Sequence, residues 1–179
     1  MIPRRRDPIG LYLHIPFCDG KCPYCDFYSL PAGSRTMDDY CGRLISELFL
    51  WGEKCPRFVD TLYFGGGTPS LLTPAQAARL IRAAGPVPGA EITLEANPEA
   101  VTPERLAAFR RAGVNRLSLG IQTARDDSLA RLGRRHTAAQ SRRALGMAVQ
   151  AGFTDISGDL MLALPAYTMA ELDETIALL

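Results

Sequence analysis

The chain has 179 residues, of which 47% are hydrophobic and 22% charged, and its formal net charge is +1. This composition is typical of one globular domain. A net charge so near zero gives no electrostatic reason to expect nucleic acid or an anionic membrane as a partner. No apolar run approaches the length of a transmembrane segment. The basic N-terminal stretch, residues 1–7, lacks the apolar run of a signal peptide.

Predicted strands and helices alternate along the chain. Short apolar or alternating runs predict five strands, at 10–15, 60–64, 90–94, 116–120 and 155–161. Apolar residues at helical spacing predict helices at 34–52, 103–113, 127–132, 138–151 and 169–179, and one more that starts at 74. Ser34 or Thr36 is the expected N-cap of the first helix, and Thr73 and Thr102, each followed by Pro, open the next two. This alternation predicts βα units and a parallel sheet.

Several predicted strands have one apolar face and one polar face. In the fourth, Leu117 and Leu119 lie on one face, while Ser118 and Gln122 lie on the other. The apolar face suits packing against helices, but burying the polar face without partners would cost several kcal/mol per group. The pattern therefore predicts an open or partial barrel whose interior is a cavity that holds water or ligand. The first helix should pack its own apolar face, formed by Tyr40, Leu44, Ile45, Leu48 and Trp51, against the sheet.

Three of the five cysteines stand together, in the loop after the first predicted strand. Cys18, Cys22 and Cys25 have the spacing C-x3-C-x2-C. Thiolates this close together can bind an iron–sulfur cluster, which usually takes four, so three would leave one iron open for chemistry. A zinc site is the alternative, but it needs a fourth ligand and normally a second C-x2-C half.

The other two cysteines, Cys41 and Cys55, belong to no motif. We interpret both as small buried hydrophobic residues in a reducing compartment. The cysteine usage as a whole predicts a cytoplasmic protein.

The residues around the three cysteines, YLHIPFC before them and CPYCDFYS through them, resemble the radical S-adenosylmethionine (SAM) superfamily. They are most similar to its oxygen-independent coproporphyrinogen III oxidase group, and within that group to haem chaperones of the HemW type. The resemblance implies a partial (β/α)6 TIM-like barrel. It also implies a [4Fe–4S] cluster on Cys18, Cys22 and Cys25, with SAM chelating the open iron.

The resemblance also implies a set of SAM contacts, most of them at the carboxyl ends of predicted strands, where parallel βα folds place their sites. The glycine motif after the second strand would contact the SAM amino group, and Glu95 would bind the ribose hydroxyls. The expected cofactor-binding residues are Tyr12, Tyr24, Gly66, Gly67, Thr68, Glu95, Gln122, Arg134 and Asp159. Arg135 is the alternative to Arg134, and His14 has no expected role.

Phe27 separates two functions that the resemblance allows. Coproporphyrinogen dehydrogenases of this group carry a fourth cysteine, in the pattern C-x3-C-x2-C-x-C, where this chain has Phe27. Its absence favours a protein that binds haem and delivers it to an acceptor protein. The alternative is radical decarboxylation of coproporphyrinogen III, and no catalytic residue is assigned. Either function would need an electron donor such as flavodoxin or ferredoxin.

The chain stops after five predicted strands, and the last predicted helix runs to its end. A family barrel has a sixth strand, and HemW-like proteins have a further C-terminal domain. We therefore expect residues 1–179 to be the N-terminal part of a radical SAM core domain, truncated after about five βα units.

Overall fold

The computed structural model describes residues 7–31 and 33–179, so most of the basic N-terminal stretch lies outside the described residues. Its main sheet has five parallel strands, β1 (Ile9–Ile15), β4 (Val59–Gly66), β5 (Glu91–Ala96), β6 (Arg116–Gln122) and β7 (Asp155–Leu160). Two short strands, β2 (Phe17–Cys18) and β3 (Leu30–Pro31), pair beside it. The order β1-β4-β5-β6-β7 follows the chain, as in a βα barrel. The predicted parallel sheet and partial barrel are confirmed.

Six α-helices connect or follow the strands within the described residues. They are α1 (Ser34–Lys54), α2 (Pro74–Ala84), α3 (Pro103–Ala112), α4 (Asp126–Arg131), α5 (Ala138–Gln150) and α6 (Met169–Ile176). The predicted caps of α2 and α3 are confirmed, because Thr73 and Thr102 each accept a hydrogen bond from the backbone of the first turn. Contacts between α1 and α2, α2 and α3, and α3 and α5 form the outer layer.

Three sequence-based predictions about the helices are wrong. The N-cap of α1 is Gly33, because the helix already begins at Ser34, so neither Ser34 nor Thr36 is the cap. Trp51 is 64% exposed, whereas the other predicted residues of that apolar face pack against the core. The last helix ends at Ile176 rather than continuing to residue 179.

The strand register separates an apolar face from a polar face. Cα partners across the five strands form one apolar row of Leu13, Phe64, Leu94, Leu117 and Ile156. The adjacent row, on the opposite face, is Tyr12, Tyr63, Thr93, Arg116 and Asp155. The first row belongs to or packs against the hydrophobic core beneath the helices. The polar row therefore lines the inside of the barrel, as the alternation predicts.

Hydrogen bonds satisfy the polar face where it is buried. The Arg116 guanidinium donates to the Thr93 hydroxyl at 3.4 Å and to the Ser157 hydroxyl at 3.0 Å. It also pairs with Asp155, with 3.2 Å between Nε and Oδ1. Thr93 is fully buried, so these bonds remove the cost of an unpaired hydroxyl there. This network lies in the amino-terminal half of the inner face, away from the carboxyl ends of the strands.

The side chain of Asn115 forms hydrogen bonds with the backbone at the start of β5, and its removal tests the fold. Its side-chain oxygen accepts from Ile92 N at 2.7 Å, and its amide donates to Ala90 O at 2.8 Å. Asn115→Ala should lower the free energy of unfolding, on the order of 1–3 kcal/mol for each backbone group left unpaired. Urea denaturation followed by circular dichroism measures this change. Gln150→Ala, at an exposed position of α5, is the control, and equal midpoints for the two variants would contradict the prediction.

Candidate cluster and S-adenosylmethionine site

The cysteine loop begins where the end of β1 meets the glycine loop after β4. Gly67 N donates to Ile15 O at 2.9 Å, and Thr68 N donates to Phe17 O at 2.7 Å. A Cβ on Gly67 would lie 2.5 Å from Phe17 O and 2.9 Å from Phe17 N. These are backbone atoms that cannot turn aside, so only glycine allows this approach. The contact fixes the residue that precedes Cys18.

The three loop cysteines are half-buried free thiols. Cys18 Sγ accepts from the Thr68 hydroxyl at 3.7 Å, and Cys22 Sγ accepts from Arg134 Nη1 at 3.8 Å. Cys25 N donates to Cys22 O at 3.0 Å, which turns the loop. Within residues 7–31 and 33–179, no three His, Cys, Asp or Glu side chains are grouped closely enough to hold a metal ion. Thiolates repel one another and are drawn together by the metal itself, so a tight group is not required beforehand.

The remaining cysteines lie away from this loop. Cys41 is fully buried in the core, and burial raises the pKa of its thiol. Cys55 is only half-buried and lines an apolar groove beside the end of α1, so the interpretation of Cys55 as a buried residue is wrong.

A cavity of about 320 Å³ opens at the carboxyl ends of the inner-face strands. We call it the inner cavity. Eight of the nine predicted cofactor-binding residues line it, together with Cys25: Tyr24, Gly66, Gly67, Thr68, Glu95, Gln122, Arg134 and Asp159. Tyr12 does not line it. Tyr12 is 57% exposed and stacks on Tyr63, with ring centroids 5.9 Å apart.

Glu95 is held by two donors at the wall of the inner cavity. The Tyr63 hydroxyl donates to Oε1 at 2.9 Å, and Gly66 N donates to Oε2 at 3.1 Å. Burial raises the pKa of Glu95 against the lowering effect of these bonds, and the nearby charge of Asp159 also raises it. Burial and the bond to Glu95 raise the pKa of Tyr63 to about 12. Tyr63 therefore stays a donor that orients the carboxylate at neutral pH.

Arg134 faces the inner cavity and Arg135 does not. Arg134 Nη2 donates to Asn97 Oδ1 at 2.7 Å and to Gly120 O at 3.0 Å. Its Nε is buried without a hydrogen-bond partner. Arg135 instead pairs with Asp19 on the surface at 2.9 Å. The structure thus directs Arg134, rather than its neighbour, toward the predicted SAM position.

Gly120, Gln122 and Asp159 shape the far wall of the inner cavity. A Cβ on Gly120 would lie 3.1 to 3.2 Å from the side chains of Asn97, Gln122 and Arg134, so the missing side chain leaves room for them. Gln122 ends β6 with a left-handed φ of 68° beside a register irregularity. Asp159 accepts from the Ser118 hydroxyl at 2.9 Å.

Tyr24 and Phe27 form the loop side of the inner cavity. Burial raises the pKa of Tyr24, and the charge of Arg134 partly opposes this. Phe27, which stands where a fourth cysteine would be, is 67% exposed. Its ring gives this wall apolar surface.

Sequence reasoning missed two residues of the site, Tyr63 and Asn97. Tyr63 lies on the inner face of β4 at the same parity as Gly65, so the strand alternation could have indicated it. Asn97 follows β5 at the carboxyl edge of the sheet, where its polar side chain was the available signal.

The parallel βα sheet has three cysteines in the loop after its first strand and a polar cavity beside them, at the carboxyl ends of the strands, where folds of this class place their sites. The Radical SAM superfamily model matches residues 12–179, and the chain belongs to that superfamily. Membership implies a [4Fe–4S] cluster and SAM.

Individual relatives show a more specific similarity than membership of the superfamily does. The Heme chaperone HemW of Escherichia coli (strain K12) is 42% identical over 174 residues, which cover 92% of this chain and 45% of that protein. The mitochondrial Radical S-adenosyl methionine domain-containing protein 1 of Bos taurus is 42% identical over 165 residues, 88% of this chain and 37% of that protein. The chain therefore spans less than half the length of these relatives.

A solved structure supports the same fold. The coproporphyrinogen III oxidase HemN of Escherichia coli, described as a radical SAM enzyme, superposes with a TM-score of 0.82 at 28% identity. The match covers 97% of this chain and 42% of that one. The predicted resemblance to the coproporphyrinogen oxidase group and to HemW is confirmed.

No helix in the described part of the chain is long and apolar enough to span a membrane.

The residues present fit both cofactors. Cys18, Cys22 and Cys25 are free and lie in one loop, as a three-thiolate ligand set requires. The buried, unpartnered Nε of Arg134 is a donor that a ligand in the inner cavity could use. Glu95, with a carboxylate oriented by two donors, can accept from the hydroxyls of a ribose.

The approach of Gly67 to Phe17 gives a test of the site. Gly67→Ala should move the backbone before Cys18 and lower the iron and sulfide bound after anaerobic reconstitution, because the new Cβ meets backbone atoms. Gly20→Ala is the matched control in the cysteine loop, since nothing lies within 4 Å of its Cβ position. Equal cluster content in the two variants would show that this contact does not position the loop.

Proposed function

We propose that the protein is a radical SAM protein of the haem-chaperone type, which binds haem and delivers it to an acceptor protein. The similarity to Heme chaperone HemW supports this proposal. The observation that carries it is Phe27 at the position of the fourth cysteine, on the wall of the inner cavity. A phenyl ring neither ligates iron nor accepts a hydrogen bond as a thiolate does.

In this proposal the site residues have distinct roles. Cys18, Cys22 and Cys25 ligate the cluster. Bound there together, the cluster and SAM would supply one-electron radical chemistry at the inner cavity. The glycine loop, 65–67, brings backbone close to the SAM amino group, and Glu95 accepts from the ribose hydroxyls.

The remaining residues complete the pocket. The cavity proposed for SAM is also lined by Tyr24, Gln122, Arg134 and Asp159. Arg134 keeps a positive charge beside Cys22, where a negatively charged cluster would sit. Tyr12 acts indirectly, through its stacking on Tyr63, which orients Glu95.

Oxidative decarboxylation of coproporphyrinogen III is the second candidate, favoured by the structural similarity to HemN over nearly the whole chain. Either function needs an electron donor, for which flavodoxin or ferredoxin is suitable. We also propose that further sequence closes the barrel beyond β7, in line with the partial coverage of the relatives. The free cysteines favour a cytoplasmic location.

One experiment separates the two functions. The protein extended to the length of its relatives, with its cluster reconstituted anaerobically, should bind haem but should not convert coproporphyrinogen III to protoporphyrinogen IX. SAM and a strong reductant are supplied, haem binding is followed by absorbance, and the porphyrins are separated by chromatography. Cys22→Ala gives the background level. Turnover above that level would replace the chaperone proposal with the oxidase, and a lack of haem binding would refute the chaperone role.

The role of Glu95 is tested by SAM affinity. Glu95→Ala should weaken binding by about 1.5–3 kcal/mol, the usual value for a hydrogen bond to a charged group, while cluster content stays unchanged. Because the pKa of Glu95 is raised, affinity should begin to fall at a higher pH than for an ordinary carboxylate as the solution is acidified. Titration calorimetry measures both effects.

Glu91→Ala is the matched control for Glu95→Ala. Glu91 lies on the same strand and the same face, at the exposed opposite end of β5. Equal SAM affinities in the two variants would contradict the assignment of Glu95.

A further inference from the structure

A chain of hydrogen bonds joins two of the cysteine sulfurs and passes through Asn97. Asn97 Nδ2 donates to Thr68 Oγ1 at 3.3 Å, and that hydroxyl donates to Cys18 Sγ at 3.7 Å. On the other side, Asn97 Oδ1 accepts from Arg134 Nη2 at 2.7 Å, and Arg134 Nη1 donates to Cys22 Sγ at 3.8 Å. Asn97 is half-buried between the inner cavity and a neighbouring cavity of about 440 Å³, and it lines both.

The polarity of this chain is fixed by chemistry. A guanidinium only donates, so the Asn97 atom that faces Arg134 must be its carbonyl oxygen. The amide nitrogen must then face Thr68, where it donates to the hydroxyl oxygen. With that oxygen acting as acceptor toward Asn97, the single hydroxyl proton of Thr68 is directed to Cys18. Both ends of the chain therefore terminate as donors on sulfur.

Donors on cysteine sulfurs stabilise negative charge on an iron–sulfur cluster and so favour its reduced state. We propose that Asn97 is a positioning residue that holds the Thr68 hydroxyl and the Arg134 guanidinium on the sulfurs of Cys18 and Cys22, and thereby raises the reduction potential of the cluster. Asn97 does not touch the cluster ligands; it acts through its two neighbours. This inference rests on the proposed ligation of the cluster by the three loop cysteines.

The test uses the protein with its cluster reconstituted anaerobically. Asn97→Ala should lower the midpoint potential of the cluster, measured by a redox titration followed by EPR. Exchangeable-proton couplings in the ENDOR spectrum of the reduced cluster should weaken at the same time. Thr68→Val should also lower the potential, and the double variant should show less than the sum of the two shifts, because both changes remove the same donor to Cys18.

Asn115→Ala is the matched control. Asn115 also bridges two groups, but both are backbone atoms remote from any sulfur. This variant should lose stability while the potential and the proton couplings stay unchanged. A similar shift of the midpoint potential in both variants would show that Asn97 contributes only to general stability, and it would overturn the proposal.

The outcomes distinguish the two levels of inference. A wild-type protein that takes up no iron–sulfur cluster would overturn the ligand assignment and this proposal with it. A wild-type cluster whose potential and proton couplings are unchanged by Asn97→Ala would overturn only the role of Asn97. Where Asn97→Ala fails to retain a cluster, Asn97→Asp decides, since it keeps the size and the bond from Arg134 but cannot donate to Thr68. An unchanged exchangeable-proton spectrum in Asn97→Asp would then refute the proposal.

Discussion

The site depends on one close backbone approach, between Gly67 and Phe17. The two hydrogen bonds on either side of it, to Ile15 O and Phe17 O, extend the contact between β1 and β4 beyond the sheet. Because backbone atoms occupy the position of a Cβ on Gly67, the contact allows only glycine. Thr68 follows Gly67 directly and therefore lies beside Cys18. The pairing of the strands, the position of the cysteine loop and the surroundings of the Cys18 sulfur thus all depend on this contact.

The polar inner face also depends on contacts between strands, since the two carboxylates that line the inner cavity each take a donor from a neighbouring strand. Glu95 on β5 accepts from Tyr63 on β4, and Asp159 on β7 accepts from Ser118 on β6. Such pairing removes most of the cost of placing polar groups inside a barrel. Each acceptor also keeps lone pairs available toward the cavity, which is the requirement for binding hydroxyl or ammonium groups of a ligand.

Most of the residues that the sequence missed are determined by tertiary packing, although the N-cap of α1, expected at Ser34 or Thr36, is a local feature that it also missed. Thr73 and Thr102 were recognisable caps because a hydroxyl before a proline acts within one helical turn. The sequence could not show that Tyr12 stacks on Tyr63, away from the inner cavity, because that contact depends on a partner far along the chain. Asn97 belongs to no recognised motif, and its side chain is tied to the site only by partners on two other segments, Thr68 and Arg134.

The choice between Arg134 and Arg135 shows how packing resolves what the sequence leaves open. The two arginines are adjacent and of the same residue type, so the sequence alone does not show which one faces the cavity. Their orientation depends on the turn that precedes them. In that turn Gly133 has a left-handed φ of 68°, and a Cβ there would lie 2.7 Å from the Pro23 ring. The turn thus packs directly on the cysteine loop, which directs Arg134 to Cys22 and leaves Arg135 at the surface. The loop is therefore held at its start by Gly67 and in its middle by Gly133, so both glycines constrain where the thiolates can lie.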